Sequence, residues 1–202
     1  HNTAIGMKAG LENTTGGSNA SLGAEAMRLN TTGDENTALG YRALKANTTA
    51  TGNTAVGSDA LVSNTTGTRN VAVGRQALGT ATTANNNTAV GYDCMSAATT
   101  GGDNTAVGRS VMSALTTGTT NVGMGEGALS VCTTGNANVA IGQGSGESIT
   151  DGGSNTAVGK GAGDSCTTGD DNTFIGIGAG TTWTTGSRNV IIGRYAGGTE
   201  TT

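Results

Sequence analysis

A period of seventeen residues runs through the whole chain. The segment "NTALGYRALKANTTATG" (36–52) is followed directly by "NTAVGSDALVSNTTGTR" (53–69), with Asn, Gly, Ala-Leu and Asn-Thr-Thr at matching offsets. Units begin at Asn2, Asn19, Asn36, Asn53, Asn70, Asn87, Asn104, Asn121, Asn138, Asn155, Asn172 and Asn189, twelve in all with no insertion or deletion, and the twelfth stops early at Thr202. Within the unit, Asn at position 1, Gly at position 5 and Thr at position 13 occur in every copy, and position 4 is always Ile, Leu, Val or Met. Such repetition constrains the fold more than any single residue does, because every unit must sit on its neighbour in the same way.

A seventeen-residue unit is too short for two-helix repeats, and no segment carries a helical period. Runs such as "NTAVG", rich in Thr and Val and closed by Gly, suit short strands separated by turns. The expected fold is therefore all-β: a parallel β-solenoid, one coil per unit, with coils about 4.8 Å apart in a rod of roughly 55 to 60 Å. Residues 1–202 read as one repeat array. The chain opens one residue before a unit and stops inside another, so it is expected to be a segment of a longer fibre.

Composition removes several function classes. There are 37 Gly and no Pro, with one Phe, one Trp and three Tyr, so no large aromatic core is expected. The net charge is −4 and the Lys and Arg residues are scattered, which argues against a nucleic-acid partner. No run approaches ~20 apolar residues, so no membrane insertion is expected.

The invariant positions have structural explanations. Gly at position 5 suits a backbone turning through positive φ, or a site where a Cβ would strike the neighbouring coil. The position-1 column, Asn2, Asn19, Asn36, Asn53, Asn70, Asn87, Asn104, Asn121, Asn138, Asn155, Asn172 and Asn189, is expected to form a side-chain amide ladder. Thr at position 13 suits a β-branched strand site whose hydroxyl bonds along the stack.

Alternation along "NTAVG" assigns faces. Positions 2 and 4 are both often aliphatic, as in Val71 with Val73, and are read as the core. Position 3 then points outward, and its small apolar column, ending in large residues, is expected to contact a second chain: Ala38, Ala55, Ala72, Ala89, Ala106, Ala140, Ala157, Phe174 and Ile191. Position 9 changes from Leu or Met to Gly at Gly146, Gly163, Gly180 and Gly197, while position 12 changes from Asn to residues that include Leu115, Ile149 and Trp183. These two columns are expected to share one cluster in the later coils.

Chemistry-bearing residues are sparse. His1 is the only histidine, so no His-based triad or metal cluster is expected. Cys94 lies at position 8, and Cys132 and Cys166 share position 12 two coils apart, roughly 10 Å in a stack, which exceeds disulfide reach. They read as small buried hydrophobes. The acidic pairs Asp34-Glu35 and Asp170-Asp171 fall in a turn and read as solvated charges rather than a calcium site. No catalytic residue, cofactor or metal is expected, and the chain is read as a non-enzyme.

"NTAVG" at 53–57, 87–91, 104–108 and 155–159 resembles the N-S-V-A-I-G-type motif of trimeric autotransporter adhesin heads. The fuller unit at 36–52 is similar to repeats of phage tail-fibre-like proteins. The resemblance covers all twelve units. It implies a left-handed parallel β-roll, three chains side by side as a homotrimer, on a virion or cell surface, serving as a structural fibre or adhesin shaft. The partners implied are further copies of the chain and a cell-surface glycan or receptor.

Two alternatives stand beside that reading. Regular Thr ranks can order water, as in an ice-binding solenoid, although adjacent Thr residues alternate between faces. A glycan-coated extracellular filament is the other, because Asn13, Asn30, Asn47 and Asn64 each form an N-x-T acceptor at position 12, with further acceptors at Asn86 and Asn19.

Overall fold

The computed structural model describes residues 1–198. Its strands are β1 (Thr3–Ile5), β2 (Ala20–Leu22), β3 (Thr37–Leu39), β4 (Thr54–Val56), β5 (Val71–Val73), β6 (Thr88–Val90), β7 (Thr105–Val107), β8 (Val122–Met124), β9 (Val139–Ile141), β10 (Thr156–Val158), β11 (Thr173–Ile175) and β12 (Val190–Ile192). They form one twelve-stranded sheet in sequence order. Every pairing is parallel and displaced by one unit, as in Thr54↔Val71, Ala55↔Ala72 and Val56↔Val73. The protein is a parallel β-solenoid of seventeen-residue coils, and the described residues contain no helix.

Each strand is only three residues long, so the remainder of the coil must also bond to its neighbours. It does so in both directions. The N–H of Met27 donates to Ala43 O of the next coil (2.9 Å), whereas the N–H of Glu25 donates to Met7 O of the previous one (2.8 Å). Within the coil, overlapping turns return the chain: Ala26 N–H donates to Gly23 O, Arg28 N–H to Glu25 O, and Asn30 N–H to Met27 O, at 3.2–3.3 Å. These turns require positive φ at unit positions 7 and 9. Non-glycine residues supply it, for example Glu25 (57°), Met27 (49°), Arg42 (55°) and Leu44 (51°).

The invariant glycine has two causes at once. Gly6 sits at φ +133°, which L side chains rarely adopt, and a Cβ there would lie 2.6 Å from Gly23 O of the next coil. The same juxtaposition recurs up most of the stack, so neighbouring coils approach closely at this corner.

The alternation expected along the strand is present, but its phase is the opposite of the expectation. Ala38, Ala55, Ala72, Ala89, Ala106, Ala140, Ala157 and Phe174 are at most 1% exposed and Ile191 is 8% exposed, so position 3 faces the interior and cannot meet a second chain. Positions 2 and 4 point outward: Val56, Val73, Val90 and Val107 are only partly buried, and Ile5 and Ile192 are 59% and 63% exposed. The reason is the width of the coil. Position 3 looks across at positions 8 and 9, where Val111 and Met112 stand so close to Gly123 that a Cβ on it would come within 2.6 Å of Val111 Cγ1. Only a small side chain fits there while Leu or Met fills the centre from position 9. Leu44, Leu61, Leu78, Met95, Met112 and Leu129 form that central column, all fully buried.

In the last coils the volume comes from the other side. A Cβ on Gly163 would lie 2.6 Å from Phe174 Cδ2, and one on Gly197 3.0 Å from Ile191 Cδ1. Ile149 also takes part, its Cδ1 lying 3.0 Å from where a Cβ of Gly146 would be. Positions 9 and 12 thus share a cluster at that coil, and position 3, which the sequence pattern places outside, is its third member.

Candidate functional site

Most of the polar interior is committed to bonds between coils. In the position-1 ladder each Asn side-chain carbonyl from Asn19 to Asn172 accepts from the next Asn twice: Asn19 Oδ1 takes the backbone N–H of Asn36 (2.9 Å) and its Nδ2 (3.2 Å). Asn36 Nδ2 also donates to Ala50 O at 2.8 Å. The pattern continues to Asn189, where Nδ2 donates to Asn172 Oδ1 at 2.9 Å. A buried amide satisfied at every atom is stabilising, and it has no valence left for a ligand.

The four Asn residues at position 12 form a second, shorter ladder, and this overturns their reading as glycan acceptors. Asn30 Nδ2 donates to Asn13 Oδ1 (2.8 Å), Asn47 Nδ2 to Asn30 Oδ1 (2.7 Å) and Asn64 Nδ2 to Asn47 Oδ1 (3.2 Å). Asn30, Asn47 and Asn64 are at most 1% exposed. Asn13 is partly buried, with its Nδ2 committed to Gly16 O. Glycosylation needs an exposed, uncommitted Nδ2, so the N-x-T pattern here is interior chemistry. Among the acceptor motifs Asn86 is the exposed one, and Asn19 is buried.

The cysteines are inert for a physical reason. All three are buried and free. Burial pushes the Cys94 thiol up to about 12 and the Cys132 thiol up to about 11, and raises that of Cys166, so none is a thiolate near neutral pH. No group of three or more His, Cys, Asp or Glu side chains suited to a metal ion occurs among the described residues.

The surface is divided by chemistry. Charged residues occur at position 6 and beyond in the unit, and unit positions 1–5 carry none in any of the twelve copies. On the charged edge, Arg42 lies 5.0 Å from the ring centre of Tyr41 and Arg75 5.5 Å from that of Tyr92, with Arg75 Nη1 donating to the Tyr92 hydroxyl at 2.9 Å. Further along this edge a groove of about 400 Å³ is lined by Lys160, Asp164, Ile177 and Tyr195 over a floor of Gly161 and Gly178. On the Thr-Thr side, the position-13 hydroxyl is spent on the next coil, as in Thr31 Oγ1 to Thr48 O (2.9 Å), which leaves position 14 as the exposed rank.

The outward β face differs from all of these. Position 4 presents Ile5, Leu22, Leu39, Val56, Val73, Val90, Val107, Met124, Ile141, Val158, Ile175 and Ile192, an aliphatic column along the full rod. Beside it, position 2 presents only Thr, Val or Ala. No protein-family model matches the chain, and neither a curated protein nor a solved structure is significantly similar to it. No helix among the described residues is long and apolar enough to cross a membrane.

Proposed function

We propose that the chain is a structural fibre segment, an adhesin or tail-fibre-like shaft on a virion or cell surface, built as a side-by-side homotrimer and acting by holding an attachment element at a distance. The observation that carries this reading is twelve strands stacked in one register, seventeen residues apart without exception, with neighbouring coils joined through backbone, amide and hydroxyl ladders. A rod of that kind resists bending and transmits position along its axis, because shear at any level breaks a whole set of hydrogen bonds at once. The buried Asn ladder at position 1 is spent on joining coil to coil, which suits a mechanical role.

Electron microscopy of the purified chain, combined with its mass in solution, tests the proposal. Rods at least as long as about eleven coil spacings, roughly 53 Å, are expected. Globular particles would overturn it.

An ice-binding role is the second reading, favoured by one observation: the outward ranks at positions 2 and 4 repeat Thr or Val beside an aliphatic residue at strand spacing. Thermal hysteresis from the isolated chain is its readout, and the shaft reading expects none.

A further inference from the structure

We infer that the outward face formed by unit positions 2 and 4 is the seam at which copies of this chain meet. This deepens the shaft reading by naming the contact surface, and it rests on that reading only in that the copies lie side by side.

The seam is uncharged throughout, an aliphatic column beside one of Thr, Val and Ala. Position 4 is aliphatic in twelve coils of twelve, and Ile5, Leu22, Leu39, Met124 and Ile192 are between 42% and 63% exposed. Neither position carries a charge anywhere, although the chain has 24 charged Lys, Arg, Asp and Glu residues to place (10 + 14). Soluble monomers rarely leave a contiguous apolar patch beyond about 600 Å² uncovered. The position-4 column runs unbroken from Ile5 to Ile192, the full length of the sheet.

The repeat itself identifies the occupant. Side chains stand out from the sheet at every coil, about 4.8 Å apart, for the length of the rod. A partner that packs against all of them must present its own side chains with the same axial spacing over the same length. Another copy of this chain meets that condition without adjustment. Between the two columns in the first coils runs a groove of about 270 Å³ bordered by Thr3, Ile5, Leu22, Thr37 and Leu39, shaped to receive side chains from such a neighbour.

The test uses the full chain and reads its mass by sedimentation with its β signal by circular dichroism. The native chain is expected to sediment as a multiple of 19.5 kDa. The triple variant Val73→Asp, Val90→Asp, Val107→Asp is expected to fall to the single-chain mass with its β signal retained, since these side chains are not in the core. Thr83→Asp, Thr100→Asp and Thr117→Asp, at exposed position 14 where Asp151 already places a carboxylate, are expected to leave the oligomer intact. Should the first variant fail to fold, the near-isosteric Val73→Thr, Val90→Thr, Val107→Thr replaces it, with an expected weakening of association of at least tenfold. A native chain of single-chain mass, or a folded seam variant that keeps the native mass and affinity, overturns the seam. Rods seen by microscopy at single-chain mass would overturn the seam alone and leave the shaft standing.

Discussion

The ring of Phe174 fills the space that a side chain on Gly163 would occupy: a Cβ built on Gly163 would lie 2.6 Å from Phe174 Cδ2. A large residue on the strand thus faces a glycine across the coil, and elsewhere a small residue on the strand faces Leu or Met. Substitutions at position 9 are therefore expected to have opposite signs in different coils. Gly146→Met places a side chain against Ile149 and Leu129, 3.0 and 3.2 Å from the new Cβ, and is expected to destabilise by about 1–3 kcal/mol through overpacking. Gly10→Met enters a cavity of about 180 Å³ lined by Ala4, Ser21 and Met27, where the nearest atom is 3.5 Å from the new Cβ. It is expected to stabilise by about 1 kcal/mol, since burial of the side chain outweighs the cost of its positive φ. Urea denaturation of both variants checks the pair, and the same sign in both would contradict the packing described.

The position-12 ladder ends at Asn64, whose Oδ1 is buried and has no partner because Ala81 in the next coil offers no donor. Removing Asn64 passes that orphan acceptor to Asn47 and leaves the number of orphans unchanged. Removing Asn47 breaks the ladder in the middle, orphaning Asn30 Oδ1 while Asn64 keeps its own unpaired oxygen. Asn47→Ala is expected to cost more than Asn64→Ala by about 1–3 kcal/mol, the penalty for one further unsatisfied buried acceptor. Equal midpoints in thermal unfolding would remove the ladder as a source of cohesion.

Much of the fold was legible because the repetition left little choice. Unit boundaries, parallel pairing and the role of the position-5 glycine all follow from a period that never slips. The phase of the strand was not legible, since positions 2, 3 and 4 are all uncharged and the most hydrophobic of them, position 4, turns out to face outward. Hydrophobicity alone assigns the larger aliphatics to the core; the width of the coil, set by Leu and Met at position 9, decides otherwise. Those Leu and Met residues sit at positive φ, which such side chains seldom adopt, so nothing in their identity announced the turn. The glycine at the same position in later coils was a usable signal. The N-x-T motifs carry two readings in the sequence for a related reason, because Asn-Thr-Thr is also the interior and ladder chemistry of the coil itself.

Burial of Cys94 makes stability depend on alkaline pH. Its thiol is held protonated up to about 12 in the folded chain against an ordinary value near 9.0, so the unfolded chain releases the proton first. The stabilisation is fully present below pH 9 and is lost as pH rises toward 12, at about 1.4 kcal/mol per pH unit for one proton. Cys94→Ala, which restores the residue found at position 8 in most coils, is expected to flatten that part of the decline while changing stability little at pH 7. Parallel declines for the two chains between pH 9 and pH 11 would show that Cys94 is not held protonated by burial.

Neighbouring residues on one strand supply the sharpest test of inside and outside. Ala55 and Ala106 are fully buried, and a guanidinium at either would enter a filled interior with no anion to meet it. Ala55→Arg with Ala106→Arg is expected to unfold the surrounding coils, at several kcal/mol per site, because the charge has neither water nor a partner. Val56 and Val107 stand one residue further along and are partly exposed, so Val56→Arg with Val107→Arg lets the side chains extend into solvent and keeps the β signal of each rod. Circular dichroism separates the two outcomes directly. An intact Ala pair beside an unfolded Val pair would return position 3 to the surface and positions 2 and 4 to the core, and with them the seam between chains would move to the alanine column.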